Sequence, residues 1–97
     1  MKAEDLRASA EELLGERWQS PLSAITGIAP RSVRRMASGA QPVPERLALA
    51  LDRALKVLDL IAELTAEHGA PGEIVLSGED DPAIVWARAM VAESLRR

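Results

Sequence analysis

Three arginines in one short segment are the residues of this chain best suited to bind an anion. Arg31, Arg34 and Arg35 lie within five positions, with Ser32 among them. A guanidinium group donates paired hydrogen bonds that match phosphate oxygens, or the O6 and N7 atoms of guanine. The spacing therefore predicts a short helix that meets an anion. A solvated helix face, or arginines paired with acids of the same chain, are the alternatives.

Residues 19–39 predict two short helices joined by a tight turn. Ser20 is a favourable N-cap, and Pro21 suits the first helical position, where its missing N–H has no partner in any case. Gly27 is expected to end the first helix, because glycine enters the left-handed conformation without steric cost. Ile28 follows it and is expected to point back into the interior.

The second helix is expected to begin at Pro30, to run from Arg31 to about Ser38, and to end at Gly39. Val33 and Met36 are three positions apart on this helix and should face the interior. The arginines are then left on the outside.

The order of Leu22, Gly27, Ile28, Val33 and Gly39 resembles the helix-turn-helix of phage-repressor-like (Cro/repressor-type) DNA-binding domains. The resemblance covers about residues 5–60. It implies a mainly α, lambda-repressor-like helix-turn-helix bundle whose second motif helix enters the major groove of double-stranded DNA.

The resemblance also assigns roles to individual positions. Arg31 and Arg35 would contact bases, which favours G·C pairs, and Arg34 would contact the backbone. Ser32 would contact a base or a phosphate. Gln19 would contact a phosphate, with a solvated polar residue as the alternative. The full set of expected DNA-binding residues is Gln19, Arg31, Ser32, Arg34, Arg35 and Gln41.

Composition narrows the function classes. The chain has 97 residues, no cysteine and one histidine, so it offers no disulfide, no thiolate nucleophile and no cysteine-based zinc site. Without a metal-ligand cluster or a Gly-rich phosphate loop, we expect no enzyme, no metal and no cofactor. The charged, amphipathic start is unlike a signal peptide, and no apolar run reaches a membrane span. A cytoplasmic protein is expected.

The net charge of −3 conceals a basic middle segment. Residues 17–58 hold seven basic and two acidic side chains, a net +5, whereas residues 1–16 carry −3 and residues 59–97 carry −5. Because the local field matters more than the total, this pattern is compatible with binding to nucleic acid.

The remaining helices frame the motif. Residues 3–16 predict a first helix, and Trp18 is expected to be a core residue beneath the motif, with stacking on a base as the alternative. A long apolar stripe predicts a fourth helix from Pro44 to about Glu67. His68 and Gly69 should end it, with His68 as a cap rather than a ligand.

The C-terminal third predicts a short strand at Glu73–Ser77 and a last helix at Pro82–Leu95. Asp81 is expected to cap this helix, although three adjacent acids in residues 79–81 leave a cation site as the alternative. The domain division follows: residues 1–66 bind DNA and residues 67–97 form a dimerisation element. Its expected interface residues are Ile74, Leu76, Ile84, Trp86, Met90 and Val91.

These features together predict a sequence-specific regulator, a repressor that binds a palindromic operator as a homodimer. The alternative is an antitoxin or helical adaptor whose apolar last helix binds a second protein.

Overall fold

The computed structural model describes residues 1–68 and 81–96, which form five α-helices. These are α1 (Ala3–Leu14), α2 (Gln19–Thr26), α3 (Pro30–Ser38), α4 (Glu45–His68) and α5 (Pro82–Leu95). The mainly α fold class is confirmed, and no strand occurs in the described residues. The expected strand at Glu73–Ser77, with Ile74 and Leu76, lies outside them, as do the turn at 69–72 and the side chain of His68.

The ends of the motif helices follow from local sequence. Gly27 and Gly39 have φ angles of 74° and 85° and follow α2 and α3 directly. Both are left-handed, as predicted, since glycine lacks the Cβ atom that strains this conformation in other residues. At the start of α5, the Asp81 carboxylate accepts a hydrogen bond from the Ala83 N–H at 2.9 Å. Asp81 is therefore a helix N-cap, as predicted.

The expected N-cap at Ser20 is wrong. Helix α2 already begins at Gln19, and the Leu22 N–H donates to the Trp18 carbonyl at 3.0 Å. The Trp18 side chain is only 3% exposed, which confirms its predicted place in the core. The first turn of α2 therefore follows directly on the buried Trp18, which takes the N-cap position without a side-chain cap.

One hydrophobic core joins all five helices. Each contributes buried side chains, among them Leu6 and Leu13 from α1, Leu22 from α2, Met36 from α3, Leu47 and Leu51 from α4, and Met90 from α5. Helix α5 lies against α4 over much of its length and also packs on α1 and α2. Among the described helices, α3 packs on α1 and α2 alone, so it lies at the periphery with one side uncovered.

Helix α5 packs inside the chain, while the dimer interface and the domain division stay predictions. Ile84, Met90 and Val91 are buried inside the chain itself, with Met90 fully inaccessible. Trp86 is partly buried and packs against the same core. The apolar character of α5 thus reflects this core. The described part of the expected dimerisation element belongs to the same folded unit as α1–α4.

Candidate nucleic-acid interface

Two hydroxyl groups fix the turn between α2 and α3. The Thr26 hydroxyl donates to the Leu22 carbonyl at 2.8 Å and accepts from the Ile28 N–H at 3.2 Å. The Ser23 hydroxyl donates to the Ile28 carbonyl at 2.6 Å. Both backbone polar groups of Ile28 are therefore satisfied by side chains of α2, which holds the three-residue turn in one conformation.

Sequence reasoning did not assign these two hydroxyls. The available signal was weak: a serine or threonine near a helix end often bonds back to the carbonyl four residues earlier. Whether the Thr26 hydroxyl also accepts from the Ile28 N–H depends on the backbone path that Gly27 sets. The pairing of Ser23 and Thr26 with Ile28 is thus a result of the turn geometry.

The inner side of α3 is anchored by apolar contacts. Val33 and Met36 are fully buried, as predicted, and Ala37 is nearly so. Ile25 and Ile28 are partly buried and pack against the same core. Since these residues fix both the rotation of α3 about its axis and its distance from α2, the opposite side of α3 has a defined orientation.

That opposite side carries the arginines. Arg31, Arg34 and Arg35 are exposed, and with the exposed Ser38 they follow the i, i+3, i+4, i+7 spacing of a single helix face. Ser32 lies at the margin of this face and is half-buried. We name the four exposed residues the arginine face.

The arginine face has no counter-charge in the described part of the chain. None of its three guanidinium groups lies within 4.0 Å of a carboxylate there, whereas Lys56 pairs with Asp52 at 3.1 Å and Arg96 with Glu93 at 3.6 Å. Residues 17–44 contain four arginines and no acid at all. Helix α2, the turn and α3 therefore form a positively charged surface, which favours a polyanion over a neutral partner.

The end of α3 is closed mainly at the Arg35 carbonyl, while the Gly39 N–H donates to the Met36 carbonyl at 3.3 Å. The Arg35 carbonyl accepts hydrogen bonds from the Ala40 N–H at 2.9 Å, the Gln41 N–H at 3.3 Å and the Ser38 hydroxyl at 3.1 Å. This closure keeps Gln41 next to the last turn of α3, and its side chain is half-buried. Gln19 is exposed at the first residue of α2. Both glutamines thus flank the motif, one at each end.

Other kinds of site find less support in the described residues. No group of three or more histidine, cysteine or acidic side chains is placed to hold a metal ion there. None of the helices is long and apolar enough to cross a membrane. The exposed arginines of α3 remain the most distinctive surface of residues 1–68 and 81–96.

No protein-family model, curated protein or solved structure matches the chain. The interpretation of the surface therefore depends on its own geometry and charge.

Proposed function

We propose that this chain is a sequence-specific DNA-binding regulator that places α3 in the major groove of double-stranded DNA. The observation that supports the proposal best is the arginine face. Three arginines with no acidic partner in the described residues project from a helix whose other side is locked into the core. A major groove about 12 Å wide admits such a helix, and its edges offer acceptors for guanidinium groups.

The spacing of the arginines supports different roles for them. Arg31 and Arg35 are one helical turn apart, about 6 Å along the axis, which spans about two base-pair steps of ~3.4 Å. If α3 follows the groove, each can donate two hydrogen bonds to the O6 and N7 atoms of a guanine. Arg34 lies to one side of them and is assigned to a backbone phosphate.

Flanking residues complete the proposed contact. Ser32 is assigned to a base or phosphate, Gln19 to the phosphate backbone at the start of α2, and Gln41 to the backbone beyond the end of α3. Phosphate contacts of this kind fix the position of a protein on the duplex, whereas base contacts select the sequence.

The proposed regulatory role follows from occupancy of the operator DNA. A cytoplasmic protein that holds a specific operator excludes other proteins from the same DNA, and we propose repression as the outcome. A homodimer would present two α3 helices about 34 Å apart on one side of the duplex, which calls for a roughly palindromic site. It would also convert two weak half-site contacts into useful affinity.

The antitoxin or adaptor alternative loses part of its support. It was based on the apolar character of α5, whose Ile84, Met90 and Val91 are buried in the chain itself, while Val85 and Leu95 remain exposed.

The test is selection from a pool of random 24-base-pair duplexes, followed by affinity measurements on the enriched sequence. We expect Arg31→Ala and Arg35→Ala each to weaken binding by about 1–3 kcal/mol and to relax sequence preference at one position. Arg34→Ala should weaken binding to all sequences alike and lower the salt slope by about one unit.

Arg53→Ala is the matched control. Arg53 is also an exposed arginine, but it lies on α4, which does not pack against α3, so this variant should bind as the parent does. The proposal is wrong if no sequence is enriched, or if all three variants on α3 bind as tightly as the control.

A further inference from the structure

An exposed arginine lies just before α2, next to a residue that the core holds in place. Trp18 is 3% exposed, and its carbonyl accepts a hydrogen bond from the Leu22 N–H at 3.0 Å. Its φ of −73° and ψ of −21° are helical, and Arg17 directly precedes it in the link from α1. The Arg17 backbone therefore has a defined position at the start of the motif, while its side chain is exposed.

The Arg17 guanidinium has no counter-charge among the side chains that the structure describes. Glu16 precedes it and is also exposed, yet no carboxylate of those side chains lies within 4.0 Å of Arg17. Helix α2 has no acidic residue in its first turn, and the next acid along the chain is Glu45. Arg17 thus extends the positive surface of α2, the turn and α3 to the far end of α2.

The side of α2 that begins at Arg17 carries short, uncharged side chains. Because Trp18 is already helical, the helical spacing extends back to Arg17 and places it on one face with Ser20 and Ala24, at i+3 and i+7. All three residues are exposed. Neither Ser20 nor Ala24 is acidic or bulky, so neither opposes the approach of a polyanion to Arg17.

We infer that Arg17 binds a backbone phosphate of the same duplex whose major groove receives α3. The inference rests on the proposed function and adds a contact at the far end of α2. Helix α2 packs on α3, and in helix-turn-helix docking the first motif helix crosses the DNA backbone while the second lies in the groove. Arg17 is ten positions from Gly27 at the turn, about 15 Å along the helix axis, whereas the groove is about 12 Å wide. With the turn at the groove, Arg17 lies beyond the groove edge, where it meets phosphates and no base.

The salt dependence of DNA binding by the full chain tests this contact. Each phosphate contact contributes about −0.9 to the slope of log affinity against log salt concentration, so a rise from about 50 to about 200 mM weakens binding about 3.5-fold per contact. We expect this salt effect to be about 3.5-fold smaller for Arg17→Ala than for the parent, on the enriched duplex and on a duplex of random sequence alike. Arg17→Lys should keep the parent slope, because it retains the charge.

Two further variants complete the comparison. Arg17→Ala combined with Arg34→Ala should lower the slope by about 1.8, because the two arginines are assigned to different phosphates. Arg53→Ala, on α4, should keep the slope of the parent.

Circular dichroism establishes that each variant is folded, and Arg17→Gln replaces Arg17→Ala if the alanine variant is not. A parent slope in Arg17→Ala, a reduced slope in Arg17→Lys, or a changed preference at a single base pair would each overturn the inference. Arg31→Ala is measured on the same duplexes. If it loses sequence preference while Arg17→Ala keeps the parent slope, only the inference about Arg17 fails.

The two proposals can also fail in the opposite order. If no sequence is enriched, the proposed function fails, and the slope of Arg17→Ala on the random duplex still decides the inference. A parent chain that binds no duplex at all overturns both.

Discussion

The turn between α2 and α3 depends on a glycine that no other residue matches, and Gly27→Ala tests that dependence. Gly27 has φ of 74° and ψ of 5°, and a methyl group built there meets no atom within 4 Å beyond Gly27 and its two chain neighbours. The substitution therefore adds no clash, and its cost is the left-handed backbone alone. For a residue with a Cβ atom this conformation costs about 1–2 kcal/mol.

Part of that cost is offset in the unfolded state, where alanine has fewer accessible conformations than glycine, an effect of about 0.4–1 kcal/mol. The net expectation is a loss of about 1 kcal/mol in the free energy of unfolding. For a chain of this size, such a loss lowers the melting temperature by about 4–8 °C. Gly27→Asn should cost less, because asparagine tolerates the left-handed region better than alanine.

Urea unfolding at 25 °C, followed by circular dichroism, measures these differences. The slope of free energy against urea should be the same in all variants, since the buried surface does not change. Gly39→Ala is a parallel case: its φ is 85°, and the new methyl would lie 3.8 Å from the Ala3 Cβ, an ordinary contact. A neutral or stabilising Gly27→Ala, or an asparagine as costly as alanine, would refute the assigned turn geometry.

Three further substitutions probe the framework around the arginine face. Thr26→Val should cost about 1–2 kcal/mol because it leaves the Ile28 N–H without its acceptor, whereas Thr26→Ser should retain most of the stability; urea unfolding distinguishes them. Asp81→Ala should cost about 0.5–2 kcal/mol through loss of the helix cap, and Asp81→Asn should be nearly neutral, as thermal melts will show. Deleting residues 82–97 removes the buried side chains of α5, each of the larger ones contributing about 1.5–3 kcal/mol against a typical total of 5–15 kcal/mol. We expect that truncated chain to lose cooperative unfolding; a sharp melt at the parent temperature would contradict the shared core.

Local sequence determined most of the elements. Gly27, Gly39 and the pair Asp81–Pro82 each impose a backbone conformation or a cap within a few residues, so the corresponding helix ends lie where they were predicted. The apolar spacing of Val33 and Met36 likewise determined which side of α3 is buried. These features depend on contacts within one or two helical turns, which the order of residues already specifies.

Tertiary structure decided three points that local patterns leave open. Helix α2 begins at Gln19 instead of Pro21, with the buried Trp18 rather than Ser20 at its N-cap position. The hydroxyls of Ser23 and Thr26 meet Ile28 only once the turn has folded. A helix that is apolar on most sides, as α5 is, does not reveal from its sequence which side meets its own chain.

That last point concerns the expected interface residues on α5. Hydrophobicity favours burial of Ile84, Met90 and Val91. Because the hydrophobic effect is non-directional, it does not specify whether they pack against their own chain or against a partner. The positions of α1, α2 and α4 turn Met90 and Val91 inward and leave Val85 and Leu95 outside. The sequence by itself thus determined the helices, most of their ends and the charge of α3, while the choice between core and surface on α5 required the packing of α1, α2 and α4, since only that packing defines an inside.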